Sequence, residues 1–228
     1  MNLIHCKARL PRICRSLLVA ALACGVFAAS DFRLAADEAA EPKETVLLAG
    51  DSLRGWRIAD KFWFDKHGTV EAKDGQVTLG AGQPGTGISY EGKLPREDYE
   101  LTLEARRLAG DDFFCGLTFP VGDSHCTLIL GGWGGSVTGL SNVDDFAAVE
   151  NNTTGSFDFR KDRWYAIRLQ VSKESIAAWV DETQLVDQPR KDHRFGVWWE
   201  QEPMRPLGIA AWNTRAAVRN VRLKRLAR

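Results

Sequence analysis

Apolar and polar side chains alternate along most of the chain with the period of two that half-buried β-strands show. In segment 99–106 the odd-numbered positions are Tyr, Leu, Leu and Ala, while the even-numbered positions are Glu, Thr, Glu and Arg. Other strands, separated by turn residues, are predicted at 69–73, 76–79, 113–119, 164–171, 175–180, 207–212 and 218–226. Many short strands with turn signals between them predict an all-β fold, either a sandwich or a barrel.

Two hairpins can be placed from the pattern. Asp74-Gly75 separates two predicted strands, and glycine accepts the positive φ that a two-residue turn needs. In the second hairpin, pairing Val171 with Ile176 makes every pair on one face apolar, as a buried face requires. The same register places Arg168 opposite Trp179 on the other face of the hairpin.

The Arg168–Trp179 pair has two interpretations. A cation–π contact that merely covers the sheet needs no ligand. Alternatively, on a concave sheet, Trp179 offers a flat surface that matches the apolar face of a pyranose. Arg168 would then hold the sugar hydroxyls.

Residues 1–36 have the composition of a secretory signal peptide and a short spacer. Basic residues precede an apolar stretch over 16–29, and small residues follow it. Cleavage after Ala28 and cleavage after Ala36 fit equally well. We therefore expect an exported protein, in the periplasm, outside the cell or at its surface, with one mature domain over residues 37–228. The apolar stretch is short for a transmembrane segment, and no later window is long enough.

Composition narrows the class of partner. The chain has 228 residues with 30 basic and 30 acidic side chains, and 44% of its residues are hydrophobic. Residues 1–36 hold five basic and one acidic side chain, which leaves 25 basic and 29 acidic groups, a net charge of −4, in residues 37–228. A mildly acidic domain disfavours nucleic acid as a partner. The size and composition are those of a single globular domain.

Only Cys115 and Cys126 remain in the predicted mature domain. A four-residue loop at 120–123 would place Cys126 opposite Leu117 and diagonal to Cys115. A diagonal pair is longer than ideal disulfide geometry, although export favours oxidation. Two small buried thiols fit the pattern as well.

Residues 131–140 (GGWGGSVTGL) form the most unusual segment. A phosphate-binding loop needs a lysine that is absent here, and GGSVT lacks the last glycine of a nucleophile elbow. Glycines on both sides of Trp133 allow a sharp turn or a close backbone approach. Trp133 therefore either packs beneath a bulged loop or stands exposed at a ligand groove, with Ser136 as a further ligand contact.

The next loop, 141–154, is rich in oxygen-bearing side chains that include Asn142, Asp144 and Asp145. Clusters of Asp and Asn often serve only as turn residues. The same oxygens are those that Ca²⁺ takes, although the EF-hand spacing is absent. A third interpretation assigns Asn142 to substrate binding and Asp144 to proton abstraction.

Histidines supply the other acid–base candidate. Neither His67, His125 nor His193 has a metal-ligating partner at close sequence spacing, so no resident metal is predicted. His125 begins a strand beside the glycine-rich segment, with its side chain on the face opposite Cys126. It is either a surface or hydrogen-bonded residue or our first candidate for general acid–base catalysis, with Asp144 as the alternative.

The carboxylate pair of ordinary glycosidases is not found. A retaining pair on one strand needs two acids on one face, and the only such pair, Glu100 and Glu104, has the pattern of a solvated face. Segment 198–202 (WWEQE) precedes a proline. Its tryptophans either close over a sugar or plug the core.

Three segments, in order, resemble one known family. Residues 47–56 (LLAGDSLRGW) resemble its opening LFNGKDLSGW pattern, and the RW, WVD and VD of 163–187 resemble its W-N, v-N-G and v hairpin. The GI and VRNVRL of 208–223 resemble its closing GIGL and FRNIRI. The family is the 3-keto-disaccharide hydrolase group, also described as 3-keto-glucoside lyase or 3-keto-glucal hydratase domains. The resemblance spans about residues 45–226.

The resemblance implies a concanavalin A-like jelly roll of two antiparallel sheets, export, and action on oxidised sugars. A 3-keto group acidifies the neighbouring C–H, so a base removes that proton and the glycosidic oxygen leaves without a carboxylate pair. The expected ligand is then a carbohydrate or an oxidised sugar, with no resident cofactor. Two other functions stay open, namely a non-catalytic carbohydrate-binding domain and a structural domain whose tryptophans face a protein partner.

The chain departs from the family pattern in its middle. Where the family has N-S-G-I-x-x-R and E-x-Q-I-x-D, this chain has FCGLTF at 114–119 and HCTLIL at 125–130. Residues 135–139 (GSVTG) do take the place of the family's G-a-I-Y-g strand. The fold therefore carries over, and the catalytic residues do not.

Overall fold

A computed structural model describes residues 44–227; the predicted signal peptide and spacer lie outside the described residues. The described part of the chain forms fifteen β-strands and two short 3₁₀ helices. In chain order the strands are β1 (Glu44–Leu48), β2 (Trp56–Ile58), β3 (Val70–Lys73), β4 (Gln76–Leu79), β5 (Gly85–Tyr90), β6 (Tyr99–Ala109), β7 (Cys115–Val121), β8 (Ser124–Gly132), β9 (Val137–Ser141), β10 (Gly155–Ser156), β11 (Tyr165–Val171), β12 (Ser175–Val180), β13 (Thr183–Pro189), β14 (Leu207–Trp212) and β15 (Arg215–Arg225). The first 3₁₀ helix is Phe62–Phe64 and the second is Trp199–Met204.

The strands form two antiparallel sheets that pack as a jelly-roll sandwich. The eight-stranded sheet has the order β13-β12-β11-β6-β15-β4-β3, with β1 paired to β15. The seven-stranded sheet has the order β10-β9-β8-β7-β14-β5-β2. The all-β class and the sandwich architecture predicted from the sequence are therefore confirmed.

The core lies between the two sheets and follows the alternation read from the sequence. Leu101 and Leu103 of β6 point into it, as do Leu117 of β7 and Leu128 of β8. Burial of such side chains, worth roughly 1.5–3 kcal/mol each, is the main force that holds the sheets together.

Both predicted hairpins are confirmed. β3 and β4 flank Asp74-Gly75, and both turn residues have positive φ. In the β11–β12 hairpin, Val171 pairs with Ile176 and Arg168 pairs with Trp179. The apolar pairs face the core, so the rule that a buried face must be apolar gives the correct register.

The β7–β8 register differs from the prediction. The strands continue to Val121 and Ser124, leaving a tight turn at Gly122-Asp123 in which Gly122 has a φ of 54°. Cys126 consequently pairs with Phe119 rather than Leu117, while Cys115 pairs with Leu130. Because this shift is of two residues, each side chain keeps its predicted face.

The same shift excludes the disulfide. With Cys126 opposite Phe119, Cys115 lies four residues further along β7, or about 13 Å away at the usual strand rise. That distance is too long for a disulfide bond. Both cysteines are free and buried, and burial raises the pKa of each thiol to about 12.

Candidate functional site

The outward face of the seven-stranded sheet is the part of the molecule with the features of a binding site. In β8, Cys126, Leu128 and Leu130 point into the core, so His125, Thr127 and Ile129 point to the other side of the sheet. That second face is also largely buried, although residues 44–227 form no third sheet to cover it. We call it the groove face.

Small residues on the groove face let the two 3₁₀ helices lie directly against the sheet. A Cβ on Gly208 would lie 2.5 Å from the Cβ of Met204, in the second 3₁₀ helix. A Cβ on Gly85 would lie 2.8 Å from the ring of Phe64, in the first. The helices therefore cover one part of the face and leave an open groove beside them.

The groove has a volume of about 330 Å³, and five of its eleven lining residues are aromatic. Trp212 stacks on Phe113 with ring centroids 5.8 Å apart, and Trp63 contacts Trp212 at 4.9 Å. The indoles of Trp133 and Trp198 complete the aromatic lining and are 46% and 41% exposed. Rings that are held by neighbours yet remain accessible are suited to stacking on a ligand.

Trp133 stands on a tight glycine turn at one edge of the groove. Trp133 itself has a φ of 45°, and Gly134 and Gly135, which follow it, have φ values of 92° and 101°. The Trp133 backbone N–H donates to Asp112 Oδ1 at 3.3 Å. The sequence left two interpretations of Trp133. The structure agrees with an exposed side chain at a ligand groove and not with a side chain packed beneath its loop.

Arg107 anchors this turn from the core side. Its guanidinium donates to the carbonyl oxygens of Gly131 and Gly135, both at 2.9 Å, and to that of Asp112 at 3.2 Å. Arg107 is only 7% exposed, and burial lowers its pKa. Burying a charge at a core-facing position of β6 costs free energy unless the charge is hydrogen-bonded. The hydrogen bonds from Arg107 to the glycine turn offset that cost.

Five polar side chains also line the groove, namely Asp112, Thr127, Ser141, Glu200 and Gln201. Thr127 shares a 2.9 Å hydrogen bond with Thr118, and Ser141 donates to Asn142 Oδ1 at 2.9 Å. Asp112 Oδ1 accepts the Phe113 N–H at 2.7 Å.

Glu200 and Gln201 lie on the second 3₁₀ helix and, unlike these three residues, each have a side-chain oxygen without a hydrogen-bond partner among the described residues. Glu200 Oε2 and Gln201 Oε1 are buried, and neither has a hydrogen-bond partner within the described part of the chain. Buried polar atoms nearly always have partners in native proteins. These two groove-lining residues therefore carry buried oxygens whose hydrogen-bonding capacity the described protein does not use.

His125 lies on the groove face, as predicted, two residues along β8 from Thr127. It is 5% exposed, does not line the groove, and neither ring nitrogen has a partner among residues 44–227. Burial, together with the positive charges of Arg205 and Arg96, lowers its pKa to about 4. The imidazole is accordingly neutral near pH 7.

Asp144 lies away from the groove. Its Oδ2 is 2.6 Å from Nδ1 of His193, and its Oδ1 accepts the Arg194 N–H at 2.8 Å. These hydrogen bonds lower the pKa of Asp144. Asp145 forms an ion pair with Arg194.

The other loop candidates are also outside the groove lining. Asn142 is 7% exposed and exchanges two backbone hydrogen bonds with Gly196. Its side-chain oxygen accepts the hydrogen bond from the Ser141 hydroxyl. The Ser136 carbonyl accepts the Phe157 N–H. Residues 44–227 contain no group of three or more His, Cys, Asp or Glu arranged to hold a metal ion. Binding of Ca²⁺ by the 141–154 loop stays a prediction.

Arg168 and Trp179 lie on the eight-stranded sheet, so the structure does not bring them together with Trp133 and His125. The Arg168 guanidinium sits 3.6 Å from the centroid of the Trp179 ring and 3.6 Å from Glu100. This is the geometry of the cation–π interpretation.

A jelly roll with an aromatic groove of this kind defines a carbohydrate-active domain. Residues 43–224 match the family model described as the 3-keto-alpha-glucoside-1,2-lyase-like domain, and the chain belongs to that family. The resemblance noted in the sequence is thereby confirmed. No curated protein matches the chain.

Solved structures confirm the fold. A Bacillus subtilis protein of unknown function with a galectin-like fold has a TM-score of 0.54 at 10% identity, over 82% of this chain and 96% of that one. A structure from work on endo-acting O-glycanases of human gut microbiota has a TM-score of 0.53 at 10% identity, over 83% and 97%. A carbohydrate esterase from bacteriophage phi24B has a TM-score of 0.52 at 12% identity, over 81% and 100%.

Among residues 44–227, no helix has the length and apolarity needed to cross a membrane.

Proposed function

We propose that this protein cleaves 3-keto-glycosides in the groove by base-assisted elimination, and that it does so after export from the cytoplasm. The observation that carries the proposal is the presence of an unpartnered carboxylate oxygen, Glu200 Oε2, in the aromatic groove of a chain from this family. The lining of the groove binds the substrate, and the carboxylate supplies the base.

The chemistry needs one base and one hydrogen-bond donor. The ketone at C3 acidifies the C2 proton, which the base removes as the electrons move onto the C3 oxygen. Collapse of this enolate forms the C1=C2 double bond and breaks the glycosidic C1–O bond, and the leaving oxygen takes up a proton. Addition of water then places a hydroxyl on C1 and a hydrogen on C2, which completes hydrolysis.

Glu200 is the proposed base. It lines the groove, and its unpartnered oxygen is free to accept a proton. Asp112 is the other carboxylate in the groove lining. Its Oδ1 accepts hydrogen bonds from the backbone N–H groups of Phe113 and Trp133 and so orients the Trp133 turn. A carboxylate held in this way is the weaker candidate for the base.

His125 is the proposed hydrogen-bond donor. A neutral imidazole is a better partner than an imidazolium for a carbonyl oxygen that becomes an enolate, because their proton affinities are closer. His125 lies on the groove face two residues along β8 from the lining residue Thr127, and contact with the substrate requires its buried side chain to rotate toward the groove. In this scheme Asp144 has no part in the chemistry, because it is paired with His193.

Product analysis tests the proposal. The protein is incubated with a 3-keto-disaccharide and, in parallel, with the unoxidised parent. We expect a monosaccharide to be released from the oxidised sugar alone. Absence of product from a protein shown to be folded contradicts the proposal.

A matched pair of variants tests the assignment of the base. Glu200→Gln should lower kcat/KM for the 3-keto-disaccharide by about 10²-fold or more, since general-base catalysis typically contributes that much. Glu202→Gln is the control, because Glu202 is exposed and ion-paired with Arg205 outside the groove lining. Equal effects of the two substitutions would remove Glu200 from the mechanism.

A non-catalytic carbohydrate-binding domain is the second candidate function. Of the β8 residues on the groove face, His125 and Thr127 stand where the family pattern noted above has a glutamate and a glutamine. This hypothesis predicts saturable glycan binding without product, weakened by Trp133→Ala.

A further inference from the structure

The groove face changes from polar to apolar along the direction of the strands. Thr127 pairs with Ser141 on one side and with Thr118 on the other, which makes a polar row across three strands. Ile129 lies one row further, beside Gly139 and Gly116. Two residues along a strand advance about 6.6 Å, so the polar and apolar rows are separated by roughly the width of a sugar ring.

The groove is aromatic beyond the Ile129 row. Ala210 follows Gly116 in this row, and Trp212 lies two residues further along β14. There Phe113, Trp212 and Trp63 form a continuous series of rings, with centroid separations of 5.8 Å and 4.9 Å. We call this part of the groove the aromatic end.

The second 3₁₀ helix lies across both parts of the groove. Trp199, at its start, contacts Trp63 with ring centroids 5.6 Å apart, and Met204, at its end, packs on Gly208 of the Thr118–Thr127 row. We call the part of the groove at the Thr118–Thr127–Ser141 row the polar end.

The hydrogen-bonding capacity of the lining suits one sugar ring rather than two. Thr127, Ser141 and Asp112 Oδ1 already bond to the protein. Among the described residues, the charged side chains of the lining are Asp112 and Glu200, and Glu200 is assigned to the reaction. A second sugar placed at the aromatic end would bury hydroxyl groups with few partners, which is unfavourable. A flat apolar group would instead bury its surface against three rings.

From this gradient we infer that the aromatic end is a subsite for an aromatic aglycone. The preferred substrates are then 3-keto-glycosides of an aryl or arylalkyl alcohol rather than 3-keto-disaccharides. The inference rests on the proposed function, since it names the substrate class for the same groove. The sugar ring occupies the polar end and its aglycone stacks on Trp212 and Trp63.

The test compares two substrates of the same anomeric configuration, 3-keto benzyl glucoside and a 3-keto glucose disaccharide. Benzyl alcohol is no better a leaving group than a sugar hydroxyl, so a preference for it reports binding rather than bond reactivity. We expect kcat/KM for the benzyl glucoside to be at least tenfold higher. Calorimetric titration of Glu200→Gln, the variant expected to be inactive, with both compounds supplies their affinities, and we expect the same order.

Variants locate the preference. Trp212→Ala should lower kcat/KM for the benzyl glucoside at least tenfold more than it lowers kcat/KM for the disaccharide. Trp212→Phe keeps an aromatic ring and should restore most of the preference. Trp63→Ala, at a more exposed position, gives the same test if Trp212→Ala does not fold. Trp179→Ala, on the other sheet, is the control and should leave both values unchanged.

The outcomes separate this inference from the proposed function. Turnover of both substrates with the disaccharide equal or preferred overturns the aglycone subsite and leaves the proposed function standing. Binding that favours the benzyl glucoside without turnover supports the subsite and overturns the proposed function. Neither binding nor turnover of either compound overturns both.

Discussion

His125 shows how burial, helped by nearby positive charge, sets the charge state of a side chain. It has no hydrogen-bond partner in the described structure, and its pKa is lowered to about 4 by burial and by two nearby arginines. In the unfolded chain the pKa of histidine is near 6.5. Between these two values the unfolded chain binds a proton that the folded protein does not, so stability falls as the pH is lowered.

We therefore predict that acid destabilises the protein partly through His125. Relative to His125→Gln, the wild type should lose about 2 to 3 kcal/mol of unfolding free energy between pH 7.5 and pH 4.5. Urea denaturation of both proteins at the two pH values measures the difference. A parallel loss in the two proteins would show that His125 titrates normally in the folded state.

The thiols of Cys115 and Cys126 provide a second prediction at this scale. Both are buried and their pKa values are raised to about 12, so neither forms the reactive thiolate at neutral pH. Peptides containing them should be unmodified by iodoacetamide in the native protein and fully modified after unfolding without reductant. Resistance to modification in the unfolded protein would indicate a disulfide.

Only some of the residues that line the groove could be predicted from the sequence. Glycines around Trp133 and the WWEQE segment single out Trp133, Trp198 and Glu200, because local composition alone marks them. Trp63 and Trp212 carry no such mark, since both lie in ordinary apolar segments. Only the packing of the first 3₁₀ helix on β14 shows that their rings meet.

At the scale of elements, close packing of the second 3₁₀ helix on the sheet holds one wall of the groove. We predict that Gly208→Ala destabilises the protein by about 1–3 kcal/mol, because the added Cβ meets Met204 at 2.5 Å. Sugar binding should weaken as well, since Glu200 and Gln201 move with the helix.

Gly196→Ala is the matched control for this prediction. A Cβ there has nothing within 4 Å, so the substitution should be neutral within about 1 kcal/mol. Chemical denaturation and glycan titration of both variants make the comparison. A Gly208→Ala protein as stable as the control would mean that the helix does not rest on the sheet.

The alternation of apolar and polar residues predicts where strands lie more reliably than it predicts the register in which they pair. The β11–β12 register is the predicted one, in which Val171 pairs with Ile176 across residues 172–175 and every pair on the buried face is apolar. The β7–β8 hairpin allows two registers that differ by two residues, and both keep apolar side chains on the core face. The length of its turn decides between them, and Gly122 closes it with two residues instead of four.

At the scale of the whole molecule, the fold class could be predicted and the site could not. Trp133 and Trp179 are similar candidates in the sequence, but strand order places them on different sheets. That order depends on long-range pairing, which alternation along single strands does not reveal.

This separation predicts opposite behaviour of the two tryptophans. Trp133→Ala should weaken binding of a 3-keto-glycoside about threefold to tenfold, in keeping with the loss of one ring contact. Trp179→Ala should leave the affinity unchanged, since its ring packs under Arg168 on the eight-stranded sheet. Isothermal titration of the two variants checks both statements, and a larger effect of Trp179→Ala would move the site to that sheet.

The most direct test of the elimination mechanism is hydrolysis of a 3-keto-disaccharide in D₂O, with the released 3-keto sugar examined by NMR and mass spectrometry. Elimination removes the C2 proton and hydration replaces it from solvent, so the product should carry one deuterium at C2. A reaction without enzyme, run for the same time, corrects for spontaneous exchange. Because a shielded base can return the same proton, retention is combined with a rate comparison. A product that keeps hydrogen at C2, together with equal cleavage rates for substrates that carry hydrogen or deuterium at C2, would contradict the mechanism proposed for the groove.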